Sequence, residues 1–356
     1  MRTLRKLQIK GFKSIASAEI ELRDLNVVIG ANGSGKSNLI GAFRLLERVL
    51  SHNLQLYVAS EPDRLLHHGR KVSPSLELHC EFGHHAYGFA LTAAHGSLVF
   101  QTEKVAEDGR VQYGESLGVG HMESCLKGAA DSGLSKAAAT ILKVGRGLAV
   151  YHFQDASESA PAKQMTNLGD LRALRPDGAN LAAYLYSLQQ VNPVAFRQIE
   201  EHVRQVAPFF DRFVLEPSPL NENKIKLEWR QKGSDAYFDG YSLSDGTLRF
   251  ICLATLLLKP TTPALILLDE PELGLHPYAI HILAEMLEAA AKRSQVLLAT
   301  QSVTLLNQFA PADVLVAENT GGATSFKRLD EAALAQWLAD FSLGELWEKN
   351  VLGGRP

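Results

Sequence analysis

Residues 25–37 read Leu-Asn-Val-Val-Ile-Gly-Ala-Asn-Gly-Ser-Gly-Lys-Ser. The first five form a short, mostly apolar run of the kind a buried strand presents. Gly30–Ser37 then matches the spacing G-x-x-x-x-G-K-[ST]. Behind it Leu39, Ile40, Phe43, Leu46 and Leu50 recur on one helical face. A strand, a glycine-rich turn and a helix, in that order, make a phosphate-binding loop. Glycines let the backbone approach phosphate oxygens, and successive N–H groups with the helix N-terminus hold their charge. In this pattern Lys36 reaches the outer phosphates and the Ser37 hydroxyl ligates Mg2+. The flanking strand and helix favour this reading over an ordinary glycine-rich surface turn.

Two further stretches gain meaning beside that loop. Leu265-Ile266-Leu267-Leu268 reads as a buried strand that carries Asp269 to its carboxyl end, where α/β sheets bind ligands. Asp269 would hold the Mg2+ water shell, and Glu270 would polarise an attacking water. Tyr241-Ser242-Leu243-Ser244-Asp245-Gly246-Thr247 begins a helix, with Ser244 or Asp245 as its N-cap. A serine at a helix N-terminus is also a place for a terminal phosphate.

The remaining chain gives a coarse map. Leu4 to Ile9 and Ser17 to Leu22 read as strands joined by a turn at Gly11. Residues 75–117 read as antiparallel strands: Leu76, Leu78 and Cys80 alternate with polar residues, and Asp108-Gly109 is a turn signal. Residues 120–145 look like loop plus a short helix, and Val150–Phe153 like a strand. Leu181, Leu185, Leu188, Phe196, Ile199, Val203 and Val206 have helical spacing broken at Asn192-Pro193. Strands return at Lys224–Arg230. A helix is expected over Gly246–Leu258, another over Tyr278–Lys292, and a buried strand over Gln295–Ala299. The segment Asp330–Asn350 is expected to be helical, with Trp337, Leu338 and Phe341 as packing residues. These assignments divide the chain into a discontinuous core, 1–154 and 235–356, and an inserted, mainly helical lobe, 155–234.

Composition excludes several classes. The 356 residues are 46% hydrophobic and 21% charged, which suits a globular protein with an ample core. The longest apolar run, Phe250–Leu258, is far shorter than a membrane span, and no secretory leader follows Met1. The net charge of −3 rules out a uniformly basic nucleic-acid binder but not a local patch. Two basic sets stand out, Lys224, Lys226, Arg230 and Lys232, and Arg2, Arg5, Lys6, Lys10 and Lys13. A solvated strand face explains them more simply than phosphate contacts. Three scattered cysteines, Cys80, Cys125 and Cys252, form no disulfide framework and suit a cytoplasmic protein. His79, Cys80, His84 and His85 match no standard metal-ligand spacing and are read as strand and turn residues.

The combination of Ile9-Lys10-Gly11-Phe12-Lys13-Ser14, the phosphate loop, Leu243-Ser244-Asp245-Gly246-Thr247 and Leu267-Leu268-Asp269-Glu270-Pro271-Glu272-Leu273-Gly274-Leu275-His276-Pro277 resembles the RecF/SMC/OLD branch of ATP-binding-cassette ATPases. It is most similar to the standalone bacterial RecF-like ATPases that carry the AAA label, whose ending resembles Leu343–Pro356. The resemblance implies an α/β fold, a P-loop NTPase of ATP-binding-cassette type with N-terminal antiparallel strands and an inserted helical lobe.

The resemblance also implies site roles. Asn32, Gly33, Ser34, Gly35, Lys36, Ser37 and Asn38 would cradle ATP, with Ser37 and Asp269 on Mg2+ and Glu270 as the catalytic glutamate. Ser244 and Gly246 would lie in a signature motif that completes a partner subunit's site. His276 would sit near the dimer seam, and Gln154 at a loosely matched Q-loop position. One departure stands out: after Gln295–Ala299 the family places a histidine on the terminal phosphate, whereas here Gln301 occupies the segment. Gln301 can donate a hydrogen bond but cannot become cationic, which argues for slow hydrolysis.

The implied partners are ATP, Mg2+ and a second copy of the chain. DNA in repair or phage defence and an unidentified protein are further expectations, with no membrane association. The alternative is a non-hydrolysing, ATP-dependent protein-interaction module. A small-molecule kinase needs no signature helix, and a transporter motor does not fit the Phe12-Lys13-Ser14 start.

Overall fold

The computed structural model describes residues 4–355 apart from 59, 60, 95, 108, 134 and 156. The expectations resting on Arg2, on the Asp108 turn and on Pro356 lie outside the described residues. The chain divides into two compact units, Met1–Val150 with Pro263–Leu267 and Ser294–Pro356, and Tyr151–Thr262 with Leu268–Arg293.

The first unit contains an antiparallel sheet whose strands lie in the order Ile15–Glu21, Lys6–Phe12, Ser75–Phe82, His85–Ala94, Ser97–Ala106, Glu115–Gly118. Strict alternation over Ser75–Phe82 buries Leu76, Leu78, Cys80 and Phe82, as the period-2 pattern requires. A second sheet has the order Ala323–Arg328, Val314–Thr320, Leu25–Ile29, Gln295–Ala299, Leu265–Asp269, Leu148–Tyr151. Leu25–Ile29 is buried throughout and runs parallel to both of its neighbours. The helix Lys36–Leu50 turns Leu39, Ile40, Phe43, Leu46 and Leu50 into the core, as their spacing predicts.

The turn expected at Gly11 falls instead at Lys13 and Ser14. Gly11 stays in its strand at φ 66°, because a Cβ there would lie 2.4 Å from the Ser75 carbonyl oxygen. Lys13 takes the left-handed turn position at φ 48°. Residues 120–145 hold two helices, Leu126–Asp131 and Lys136–Gly145, rather than one.

The packing role expected of Trp337 is also corrected. Trp337 is 48% exposed, and no residue of its helix, Glu331–Leu338, is buried. Trp347, in Leu343–Glu348, is fully buried instead. Gly344 permits this: a Cβ there would lie 2.4 Å from Val303 Cγ1, so the backbone itself approaches the helix Val303–Leu306.

The second unit is built around the helices Leu181–Val191, Pro193–Val206, Asp245–Leu258 and Pro277–Ala291. Asn192 caps the second of these by accepting from the Ala195 N–H, which explains the break before Pro193. The segment 155–234 is less helical than its leucine spacing suggests. It carries the strands Phe210–Val214 and Glu228–Gln231 of one three-stranded sheet and Thr166–Asn167, Pro217–Ser218 and Asn221–Ile225 of another. Phe210 packs on Phe213 and Trp229, and Trp229 on Phe238, so aromatic packing holds strands too short to show periodicity.

Candidate nucleotide site

The phosphate loop leaves Ile29 and enters the helix at Lys36. Lys36 is buried, and its Nζ donates to the carbonyl oxygens of Gly30 at 2.6 Å and Ala31 at 3.0 Å. The ammonium is thus folded back along its own loop, where carbonyl dipoles compensate its loss of water. Gly33 and Gly35 have φ of 78° and 104°. A Cβ on Gly35 would lie 2.2 Å from Thr324 Oγ1, so only glycine lets the loop approach that side chain.

Thr324 is the centre of a hydroxyl chain that holds the loop. Its Oγ1 donates to the Ser34 carbonyl at 2.9 Å and lies 2.7 Å from Ser14 Oγ. Asn38 Nδ2 donates to Ser14 Oγ at 2.7 Å. Because the Thr324 proton is committed to Ser34, Ser14 donates to Thr324, giving one direction from Asn38 to Ser14 to Thr324 to the loop. Asn38 and the Phe12-Lys13-Ser14 turn therefore brace the loop. Of its two serine side chains, one is enclosed and one is open. Ser34 Oγ is buried with no hydrogen-bond partner, and Ser37 is exposed at the first turn of the helix. These are the features expected of a site that fits a phosphate and a cation.

The segment after Gln295–Ala299 reaches the same edge of the sheet. Thr300 N donates to the Val28 carbonyl at 3.0 Å, and parallel pairing sets Ala299 opposite Val28. This places the Gln301 segment beside the strand that feeds the phosphate loop.

In the second unit, Gln154 Nε2 donates to the Asp269 carbonyl at 3.0 Å, joining the loosely matched Gln154 to the acidic strand end. Glu270 follows in the left-handed region at φ 45°, a strained position for a residue with a side chain. Ser244 caps the helix Asp245–Leu258 by accepting from the Thr247 N–H at 3.2 Å, and it is exposed. Gly246 packs directly on the Glu272–Pro277 loop, since a Cβ would lie 2.3 Å from the Gly274 carbonyl oxygen. His276 caps the helix Pro277–Ala291 through Nδ1 and is exposed, as are Leu273 and Tyr278.

Sequence reasoning missed two braces here. Arg249 donates to the carbonyls of Phe153 and Gln154 at 3.0 and 3.1 Å, tying the Ser244 helix to Gln154. Lys163, buried, lies 3.7 Å from Asp245. Neither residue belongs to a motif, so no local signal marks them.

Four of the basic residues in the two sets are matched by acids. Lys6 pairs with Glu19, Lys10 with Glu77, Lys226 with Glu228 and Arg230 with Asp235. His79 and Cys80 are successive strand residues, so their side chains point to opposite faces, and burial pushes the Cys80 thiol well up. A different trio converges: ligand atoms of Glu103, His121 and Cys125 lie within 4.8 Å of one another. Glu103, fully buried, already accepts from Tyr87 Oη, Ser124 Oγ, His121 Nε2 and Cys125 N at 2.5–2.9 Å. Its negative charge is satisfied by donors of the fold.

Comparison with known proteins agrees with this architecture. Residues 3–143 match the family model described as an AAA ATPase domain. Residues 134–307 match the model described as an AAA domain, putative AbiEii toxin, Type IV TA system. Between them, the two AAA-domain models span residues 3–307. Among solved structures it is similar to the SMC head bound to the C-terminal winged-helix domain of ScpA, with a TM-score of 0.63 at 16% identity. That match covers 94% of this chain and 99% of the other. It is also similar to the Smc head domain with an extended coiled coil, bound to the C-terminal domain of ScpA, from Pyrococcus furiosus. There the TM-score is 0.61 and the identity 14%, with coverage of 96% and 99%. These likenesses establish the P-loop NTPase fold of ATP-binding-cassette type. No curated protein matches the chain in sequence. Among the described residues, no helix is long and apolar enough to cross a membrane.

Proposed function

We propose that the chain binds and slowly hydrolyses Mg-ATP, and that ATP joins two copies into a dimer. The braced phosphate loop, with a buried Ser34 hydroxyl lacking a protein partner, is the observation that carries the nucleotide reading. Lys36 and the loop N–H groups bind the phosphates, Ser37 and Asp269 hold Mg2+, and Glu270 orients and deprotonates water. Held there, Mg2+ would supply charge neutralisation for the phosphates. The division into a 1–154 and 235–356 core with a 155–234 insertion belongs to the same reading.

The dimer rests on a separate observation. Ser244, Tyr241, Leu273, His276 and Tyr278 are all exposed on two neighbouring segments packed together through Gly246 and Gly274. A signature serine turned to solvent suits a role in completing a partner's site. A clamp or switch on DNA, in repair or phage defence, is the use we infer for such closure; its support is the RecF/SMC resemblance. A non-hydrolysing interaction module is the second reading, favoured by Gln301 where the family has histidine.

The test joins thermal shift to light scattering. Saturating Mg-ATP should raise the melting temperature of the wild type by several degrees through linkage, and Lys36→Ala should lose that rise. Glu270→Gln should accumulate as an ATP-dependent dimer. No shift with millimolar Mg-ATP rejects the nucleotide reading, and a Glu270→Gln monomer with ATP rejects the dimer.

A further inference from the structure

The segment after Trp347 runs to the phosphate loop, and no part of the reading above uses it. A capping box at Ser342 and Glu345 starts the helix Leu343–Glu348, and Asn307 Oδ1 accepts from the Gly344 N–H at 2.6 Å. Trp347, fully buried, anchors the segment and donates from Nε1 to the Gly354 carbonyl at 2.7 Å. Gly354 N–H in turn donates to Glu318 Oε1 at 2.7 Å.

Gly353 and Gly354 both have positive φ, 79° and 57°. A Cβ on Gly354 would meet Val316 Cγ1 at 2.6 Å, the Ala317 carbonyl at 3.1 Å and Gly30 Cα at 3.4 Å. Two glycines thus carry the backbone over Ala317 and against the first residue of the phosphate loop. The result is an open cavity of about 480 Å3, lined by Ala31–Ser34, by Ala317–Thr320, whose Glu318 carboxylate accepts from the Gly354 N–H, and by Asn350, Gly354 and Arg355. Its size lies within the range of small-ligand sites.

Ser34, 96% buried, lines the loop wall with its Oγ enclosed, and one feature of this cavity points to an anion. Across from the loop, Arg355 is exposed, and among the described residues it has no carboxylate partner.

The geometry points to Arg355 as a phosphate-binding residue of the nucleotide site, held beside the loop by the Trp347–Gly354–Glu318 anchor. This inference rests on the nucleotide function proposed above. It names a source of positive charge that the motifs do not contain. Lys36 is the one cation that the motifs supply, and Gln301 is neutral. A planar guanidinium on the outer side would reach phosphate oxygens through charge-assisted hydrogen bonds.

The test is isothermal titration of Mg-ATP into the wild type, Arg355→Ala, Arg355→Lys and Lys36→Ala, with melting temperatures taken without nucleotide. Arg355→Ala should bind ATP roughly tenfold more weakly with an unchanged melting temperature, because Arg355 supports nothing in the fold. Arg355→Lys should recover most of the affinity. If Arg355→Ala binds as the wild type does while Lys36→Ala does not bind, the role of Arg355 is overturned and the nucleotide reading stands. If the wild type binds no ATP, both fall. A loss of affinity matched by a lower melting temperature, and not recovered by lysine, would also overturn it.

Discussion

The phosphate loop and the Glu103 cluster belong to the same unit and bury similar chemistry with opposite results. Around Glu103, a carboxylate with no exposure meets four donors. His121 is oriented for this by stacking on Phe100 at 4.5 Å. In the loop, a buried lysine leans on its own carbonyls, a buried serine hydroxyl has no partner, and a second serine faces solvent. A closed polar network specifies the fold, whereas an open one awaits a ligand. Residue type alone would have favoured Glu103, His121 and Cys125 as a metal centre; counting donors against acceptors reverses that.

The largest expected effect tests the closed half of the comparison. Glu103→Ala leaves the Tyr87 and Ser124 hydroxyls, the His121 ring and the Cys125 N–H without their acceptor. Loss of a buried, charged hub should cost about 3–5 kcal/mol of stability, read as a fall in the denaturation midpoint. The affinity of the folded fraction for Mg-ATP should not change. Zinc that raised the wild-type melting temperature, an effect absent in Glu103→Ala, would show the cluster to be open after all.

An intermediate case lies in the second unit. Lys259 is 3% exposed, with its ammonium 5.7 Å from the Tyr151 ring centre and 5.9 Å from that of Tyr184. Among the described residues it has no carboxylate partner, and burial lowers it to about 8. Its folded value thus lies below its unfolded one, so the unfolded chain binds the proton more tightly between pH 8 and 10.5. The penalty is complete below pH 8 and disappears as pH rises to 10.5. Two cation–π contacts offset part of it. Lys259→Met should therefore be more stable than the wild type by about 1–2 kcal/mol at pH 7. The gap should close by pH 10.5 in urea titrations at both values. A gap independent of pH would mean that Lys259 holds its proton equally well folded and unfolded, so that burial does not penalise its charge.

What was legible in the sequence follows the range of the interaction that decides it. The phosphate loop, its strand and its helix are local, so spacing over Leu25–Leu50 was enough. Gln154 was singled out only through family resemblance, and its contact with the Asp269 carbonyl, 115 residues away, had no sequence signal. Thr324 lies 290 residues from the loop carbonyl that it holds, and no motif marks it. Trp337 and Trp347 both have helical neighbours. Spacing defines a helical face but not which helix finds a surface, and Gly344 decided that by letting its backbone approach Val303.

The smallest effect asks whether the braces of the open site are structural or functional. Thr324→Val keeps the volume and removes the hydroxyl that donates to Ser34 O and accepts from Ser14. Thr324 is 2% exposed, so water cannot replace it, and the loss should be about 1–2 kcal/mol. If that were all, the hydroxyl chain would resemble the Glu103 network, and ATP affinity would be untouched. The contact is too intimate for that, because Thr324 Oγ1 occupies the space that a Gly35 side chain would need. A loop released from it should sample conformations in which its N–H groups no longer converge, and binding must then restore the order. Thr324→Val should therefore weaken Mg-ATP several-fold beyond its effect on stability, and Thr324→Ser, which keeps the hydroxyl, should bind as the wild type does. Equal affinities for Thr324→Val and Thr324→Ser would place the hydroxyl chain with the closed networks and leave Ser37 as the open part of the loop.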